Sequence, residues 1–127
     1  MNEKNRILLI DDNRTVFRLL EAIVRIQGYH LLYAENGQQG IVMARQEQPD
    51  LILLDVMMPD IDGFKVCQYL KDNADTARIP VLFLTARGAE GDIEAGRRAG
   101  ADGFMTKPFQ TVEVLGQIRR ILAGGDS

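Results

Sequence analysis

Leu51-Ile52-Leu53-Leu54-Asp55-Val56-Met57-Met58-Pro59 runs four unbroken aliphatics into a carboxylate and then into a proline. A run this short, bounded by Pro49-Asp50 before it and Met58-Pro59 after it, reads as a central strand of a parallel sheet covered on both faces. Asp55 is then the first polar group at the strand's carboxyl end, where open α/β sheets place their ligand sites.

Working outward, the same pattern recurs. Ile7-Leu8-Leu9-Ile10 ends in Asp11-Asp12, and Val81-Leu82-Phe83-Leu84, introduced by Pro80, stops at Thr85. Gly103-Phe104-Met105-Thr106 is a short last strand running into Lys107-Pro108-Phe109. Tyr29 to Ala34 is apolar but interrupted by His30, which suits an edge strand with His30 on the solvent side.

Between these runs the apolar period changes to that of a helix. Val16, Leu19, Leu20, Ile23 and Val24 follow Asn13 at i, i+3, i+4, i+7 and i+8, and Gly28 closes that segment. Asn36-Gly37 opens a second helix carrying Ile41, Val42 and Ala44, which ends by Pro49. Asp62 caps a third, with Phe64, Val66, Cys67 and Leu70 as its apolar stripe. Arg87 to Gly100 reads as a marginal helix and a candidate for movement, since Gly88, Gly91 and Gly96 each cost about 1 kcal/mol against Ala. The last helix lines up Val114, Leu115, Ile118, Ile121 and Leu122 before Gly124-Gly125. Five strands alternating with five helices predict an α/β fold, with helices packed on both faces of a parallel sheet by right-handed crossovers. Periodicity alone leaves the strand order open.

At 127 residues, 46% hydrophobic and 26% charged, the chain suits one domain that buries roughly two-thirds of its unfolded surface. We expect a single domain over residues 1–127, with its core at about 6–122 and residues 123–127 a tail or the start of a linker. The net charge is -3 and the pI near 5.1, with 15 Lys and Arg scattered, so no basic field favours direct nucleic-acid binding. A polar start, Met1 to Arg6, and no apolar run of spanning length predict a cytoplasmic protein without membrane contact. One cysteine, Cys67, excludes a disulfide framework and is expected to be buried filler; one histidine, His30, excludes a Ser/His triad.

The chemistry lies in what the strand ends share. Asp11-Asp12, Asp55, Thr85 and, just past the last strand, Lys107 all fall at carboxyl ends. Carboxylates converging there would raise one another's pKa unless a cation joined them. An oxygen-only set with room for water suits Mg²⁺. A metal ion and an ammonium beside a carboxylate suit an incoming phosphoryl group, whose transfer needs mainly positioning and charge neutralisation, with Asp55 as nucleophile. Singly, each residue has a plainer reading: a helix cap for Asp11-Asp12, a turn cap for Asp55, a strand-end hydroxyl for Thr85, a solvated Lys107, a core Phe104.

Over about Arg6 to Leu122 the chain resembles the receiver domain of bacterial two-component response regulators, of the chemotaxis-regulator kind. The resemblance is carried by Leu9-Ile10-Asp11-Asp12-Asn13, by Leu54-Asp55-Val56-Met57-Met58-Pro59-Asp60-Ile61-Asp62-Gly63, by Leu84-Thr85-Ala86, and by Gly100-Ala101-Asp102-Gly103-Phe104-Met105-Thr106-Lys107-Pro108-Phe109. It implies a flavodoxin-like, doubly wound (βα)5 domain with strand order 2-1-3-4-5. It implies Asp55 as phosphoacceptor from a phosphohistidine on a sensor histidine kinase or histidine phosphotransfer protein. Mg²⁺, or Mn²⁺ in its place, would be held by Asp12, Asp55 and the Met57 backbone carbonyl, with Asp11 acting through water. Lys107, Thr85 and the Ala86 amide would bind the phosphoryl oxygens, and Thr85 and Phe104 would form a switch that repacks the surface of the fourth helix, last strand and last helix for a downstream output domain or protein. A cis Lys107-Pro108 bond, and a monomer or weak phosphorylation-dependent dimer, follow from the same resemblance. Asp102-Gly103 and Gln110 depart from the family's common pattern of two acids and an acidic or serine cap, which weakens assignment to the subclass that dimerises through surface salt bridges. Met57 and Arg87, two residues beyond Asp55 and Thr85, would flank the path of hydrolytic water.

Two other classes fit parts of the pattern. A haloacid-dehalogenase-like phosphatase also puts a nucleophilic Asp at a strand end, but needs an acid two residues on, where this chain has Met57. A flavodoxin-like cofactor binder needs a hydroxyl- and glycine-rich loop after the first strand, where Asp11-Asp12 would repel a phosphate.

Overall fold

Strands and helices alternate without exception along the chain: β1 (Arg6–Ile10), α1 (Arg14–Arg25), β2 (His30–Ala34), α2 (Gly37–Glu47), β3 (Leu51–Asp55), α3 (Gly63–Asp72), β4 (Val81–Ala86), α4 (Glu90–Ala99), β5 (Gly103–Lys107) and α5 (Thr111–Leu122). This is a computed structural model, and it describes residues 5–86 and 90–124. Arg87 and Gly88, read above as part of the fourth helix, and Gly125, read as part of the last stop, lie outside the described residues. The five strands form one parallel sheet in the order β2-β1-β3-β4-β5. The chain leaves β1 toward β2, then crosses back past β1 to β3, so the winding reverses between β1 and β3 and opens a crevice at their carboxyl ends.

The sheet divides the interior into two layers. Side chains alternate across a strand. Ile7 and Leu9, Leu51 and Leu53, Leu82 and Leu84, and Met105 therefore face α1 and α5, where they meet Leu20, Ile23, Val24, Val114 and Ile118. Leu8 and Ile10, Ile52 and Leu54, Val81 and Phe83 face α2, α3 and α4, where they meet Ala44, Val66, Cys67, Leu70 and Ala99. Every residue of β3 is buried, its four aliphatics and Asp55 alike, while His30 on the edge strand is exposed.

Helix caps follow local chemistry. Asn13 accepts from the Thr15 amide, Asn36 from Gln39 and Asp62 from Lys65. Gly28 has φ +82, the left-handed backbone that ends the turn after α1. Two residues of the expected stripes prove exposed, Leu19 at 46% and Val42 at 49%. Leu19 stands about 100° around the helix from Leu20, outside the arc that meets the sheet. Val42 is turned outward because α2 meets the sheet through glycine: a Cβ at Gly40 would stand 2.5 Å from Ile10 Cδ1. The glycine brings the helix close and leaves only a narrow inner face.

Cys67 is fully buried between α3 and α4, its thiol donating to the Ala99 carbonyl at 3.3 Å. Burial pushes the thiol up to about 11, so almost none of it is thiolate at neutral pH. Labelling by an aromatic disulfide reagent should therefore be at least about a hundredfold slower in the native protein than in urea. Equal rates in the two would mean that Cys67 is accessible.

Candidate functional site

The register of the strands brings the acids together. Ile10 lies level with Leu54, so Asp11 and Asp55 leave neighbouring strands one rung further on, and Lys107 lies level with Ala86 at the end of β4. Asp11, Asp55, Ala86 and Lys107 share the phase of the residues that face α1 and α5. Lys107 Nζ is 3.1 Å from Asp11 Oδ2 and 3.6 Å from Asp55 Oδ1. Asp11 is fully buried and its other oxygen accepts from the Asn13 amide at 2.9 Å, so the start of α1 and the end of β5 hold it from opposite sides. The Lys107-Pro108 peptide is cis.

Asp12 completes an acidic cluster, one carboxylate oxygen from each of Asp11, Asp12 and Asp55 lying within 4.8 Å of the others. The donors are all oxygen, which fits a hard cation that keeps part of its water shell and offers nothing to a soft one. Asp55 is 9% exposed. Burial pushes its carboxyl up, the charge of Asp11 pushes further, Lys107 and the Met57 amide pull back, and Asp12 adds to the rise, leaving it at about 6. A cavity of about 220 Å³ opens beside it, lined by Asp55, Val56, Met57, Leu84, Ala86 and Lys107. Met57 is 76% exposed at its mouth.

Thr85 is not among those walls. It is 4% exposed and leaves β4 on the opposite phase, that of Phe83 and Phe104. Phe104 packs on that side, its ring 6.1 Å from that of Phe83 and nearly parallel to it. A Cβ at Gly96 would stand 2.5 Å from Phe104 Cε1, so the glycine read above as a weakness of α4 makes room for this ring. Arg87, named above beside the path of water, lies outside the described residues.

Asp60 belongs to this site's framework but carried no role in the sequence reading. Its two oxygens accept from the Gly37 and Gln38 amides, both at 3.0 Å, at the first turn of α2. Partial burial works to raise its carboxyl, but these amides and that of Ile61 outweigh it and hold the group below its usual value. A cap supplied from another loop, 23 residues away in sequence, leaves no local signature.

Residues 7–119 match the response regulator receiver domain family model. The chain belongs to that family. Receiver domains are signalling modules of two-component systems, and the strand order and fold of this one are those of the chemotaxis-regulator type. This receiver domain is 40% identical over 119 residues to Protein PilH of Pseudomonas aeruginosa, covering 94% of this chain and 98% of PilH. It is 45% identical over 121 residues to the DNA-binding transcriptional regulator RpaA of a Synechocystis strain, covering 95% of this chain. The chain spans about half the length of RpaA and of the first curated relatives it matches. Among solved structures it superposes on the receiver domain of the sensor histidine kinase PA1611 of Pseudomonas aeruginosa with a TM-score of 0.87 at 29% identity, covering 96% of this chain and 100% of the other; that structure holds a magnesium ion in its active-site cleft. Among the described residues of this receiver domain, no helix is long and apolar enough to cross a membrane.

Proposed function

We propose that this receiver domain is a Mg²⁺-dependent phosphoryl acceptor that takes its phosphoryl group on Asp55. The donor is a phosphohistidine of a sensor histidine kinase or histidine phosphotransfer protein in the cytoplasm. One observation carries the reading: Asp11, Asp12 and Asp55 offer carboxylate oxygens within 4.8 Å of one another, with the Lys107 ammonium against two of them. Three acids and one base in a crevice are a poor way to stabilise a fold and a good way to hold a cation and a phosphoryl group.

Asp12, Asp55 and the Met57 backbone carbonyl are the direct ligands in this reading, and Asp11 acts through water. Mn²⁺ would serve in place of Mg²⁺. The ion when bound neutralises charge on the phosphoryl oxygens, which phosphoryl transfer chiefly requires. An Asp55 carboxylate oxygen attacks phosphorus, a P–O bond forms as the donor's P–N bond breaks, and the electron pair returns to the imidazole. From its place beside Asp11 and Asp55, Lys107 pairs with an oxygen of the phosphoryl group. The Ala86 amide takes another, and Thr85 a third by turning across the end of β4. Thr85 and Phe104 share one phase of the sheet against α4, so moving the first alters the packing of the second and biases the α4–β5–α5 surface seen by an output domain or protein.

The test is incubation with a small acyl phosphate, with and without Mg²⁺, read by intact mass. The expected result is one labile phosphoryl adduct that requires the metal and is absent from Asp55→Asn. An adduct that persists in Asp55→Asn, or forms equally well with the metal chelated, would overturn the reading.

A further inference from the structure

We propose that Asp60 is a positioning residue for the metal and phosphoryl site: by latching the β3–α3 loop onto the first turn of α2, it sets where Met57 presents its backbone beside Asp55. The inference rests on the functional reading above and names a residue that reading does not use.

The loop leaves β3 at Asp55 and is butted against it again at α3. The Gly63 amide donates to the Val56 carbonyl at 2.8 Å, and a Cβ at Gly63 would stand 2.3 Å from the Asp55 carbonyl oxygen. Between these fixed points Met57 is largely exposed, and its amide reaches Asp55 Oδ1 only at 3.4 Å. Packing therefore does not hold Met57. Its neighbours Met58 and Ile61 pack on the core, and the polar clamp on this stretch is Asp60, whose carboxylate takes both the Gly37 and the Gln38 amides at 3.0 Å. Charged acceptors on amides at a helix N-terminus are among the stronger hydrogen bonds available to a surface side chain.

What lies at the far end of the latch makes it functional. Gly37 lets α2 approach the loop, since a Cβ there would stand 3.0 Å from Val66 and 3.1 Å from Ile61. One turn on, Gly40 presses against Ile10, the residue before Asp11-Asp12. Asp60 thus ties the loop bearing Met57, through the first turn of α2, to the strand that delivers the other acids. It fixes the spacing of donors that come from two separate strand ends.

A second cap on the same turn supplies the control. Asn36 accepts from the Gln39 amide at 2.8 Å, and among the described residues no hydrogen bond joins its side chain to the loop or the acids. Titration of the whole protein with MgCl₂, followed by the Met57 amide in ¹H–¹⁵N spectra, should give a dissociation constant about tenfold weaker in Asp60→Ala, the size expected for loss of an outer-shell partner. Asp60→Asn keeps one oxygen acceptor and should fall between, and it carries the test should the alanine variant not fold. Asn36→Ala should change the constant by less than about twofold. Without metal, the Met57 and Met58 amides should exchange with solvent faster in Asp60→Ala and at the wild-type rate in Asn36→Ala. An unchanged Mg²⁺ constant in both Asp60 variants, or an equal loss in Asn36→Ala, would overturn the latch and leave the functional reading standing. A wild-type protein that binds no Mg²⁺ would overturn both.

Discussion

Lys107→Ala should slow phosphoryl incorporation from an acyl phosphate by about two to three orders of magnitude, the usual result of deleting one preorganised positive group from a site where charge gathers. The ammonium is already in position, 3.1 Å from Asp11 and 3.6 Å from Asp55, so it meets an arriving phosphoryl group with little rearrangement. Two losses are expected together. The side chain of Asp11 is fully buried, and without Lys107 the Asn13 amide is what remains hydrogen-bonded to it among the described residues. The urea midpoint at neutral pH should therefore fall by the equivalent of about 1–3 kcal/mol. Single-turnover rates and urea curves on the same preparation check both. A variant that incorporates phosphate at the parent rate would remove Lys107 from the site.

Asp55→Asn should behave in the opposite sense, losing the acceptor while gaining stability. The carboxyl is raised from 3.8 to about 6 in the folded protein. Between those values the folded state keeps a proton that the unfolded chain has released, so the contribution of Asp55 to stability is greatest below 3.8 and declines as pH rises through about 6. Above that window the ionised Asp55 costs about 2–3 kcal/mol, following from 1.36 kcal/mol per unit. Asparagine has the same shape without the charge. With divalent metal chelated, Asp55→Asn should thus be more stable than the parent by that amount near neutral pH. The gap should close below the unfolded value and narrow near neutral pH when Mg²⁺ is added, because the ion stabilises the acid form alone. Chemical denaturation at two pH values decides it; an asparagine variant no more stable at neutral pH would mean that Asp55 carries no such penalty.

The strands were legible because burial on both faces leaves so few choices: Leu51 to Leu54 and Ile7 to Ile10 admit little but aliphatics. The acids and Lys107 were legible because strand ends in a parallel sheet face one way. The full order of the strands was legible only by resemblance, since the apolar runs mark β3 as central and β2 as an edge without saying which neighbours pair. What hydropathy missed involves glycine and tertiary hydrogen bonding. Gly40 and Gly96 count as nothing in an apolar stripe, yet they set how near α2 lies to Ile10 and where the Phe104 ring rests. Val42 is exposed beside that close approach. Lys71 donates to the Ile79 carbonyl at 2.7 Å and Asp102 accepts from the Val81 amide at 2.8 Å, joining the loops at the other end of β4. Such polar clamps join residues far apart in the chain and leave no period.

Thr85 and Ala86 are consecutive residues with opposite outlooks, one toward the Phe104 side of the sheet and the other toward the cavity beside Asp55. The sheet is otherwise a partition: two greasy compartments with no polar conduit between them among the described strands. In the proposed reading, what is written beside Asp55 reaches the aromatic compartment where the partition ends, across the single peptide unit between Thr85 and Ala86 at the tip of β4.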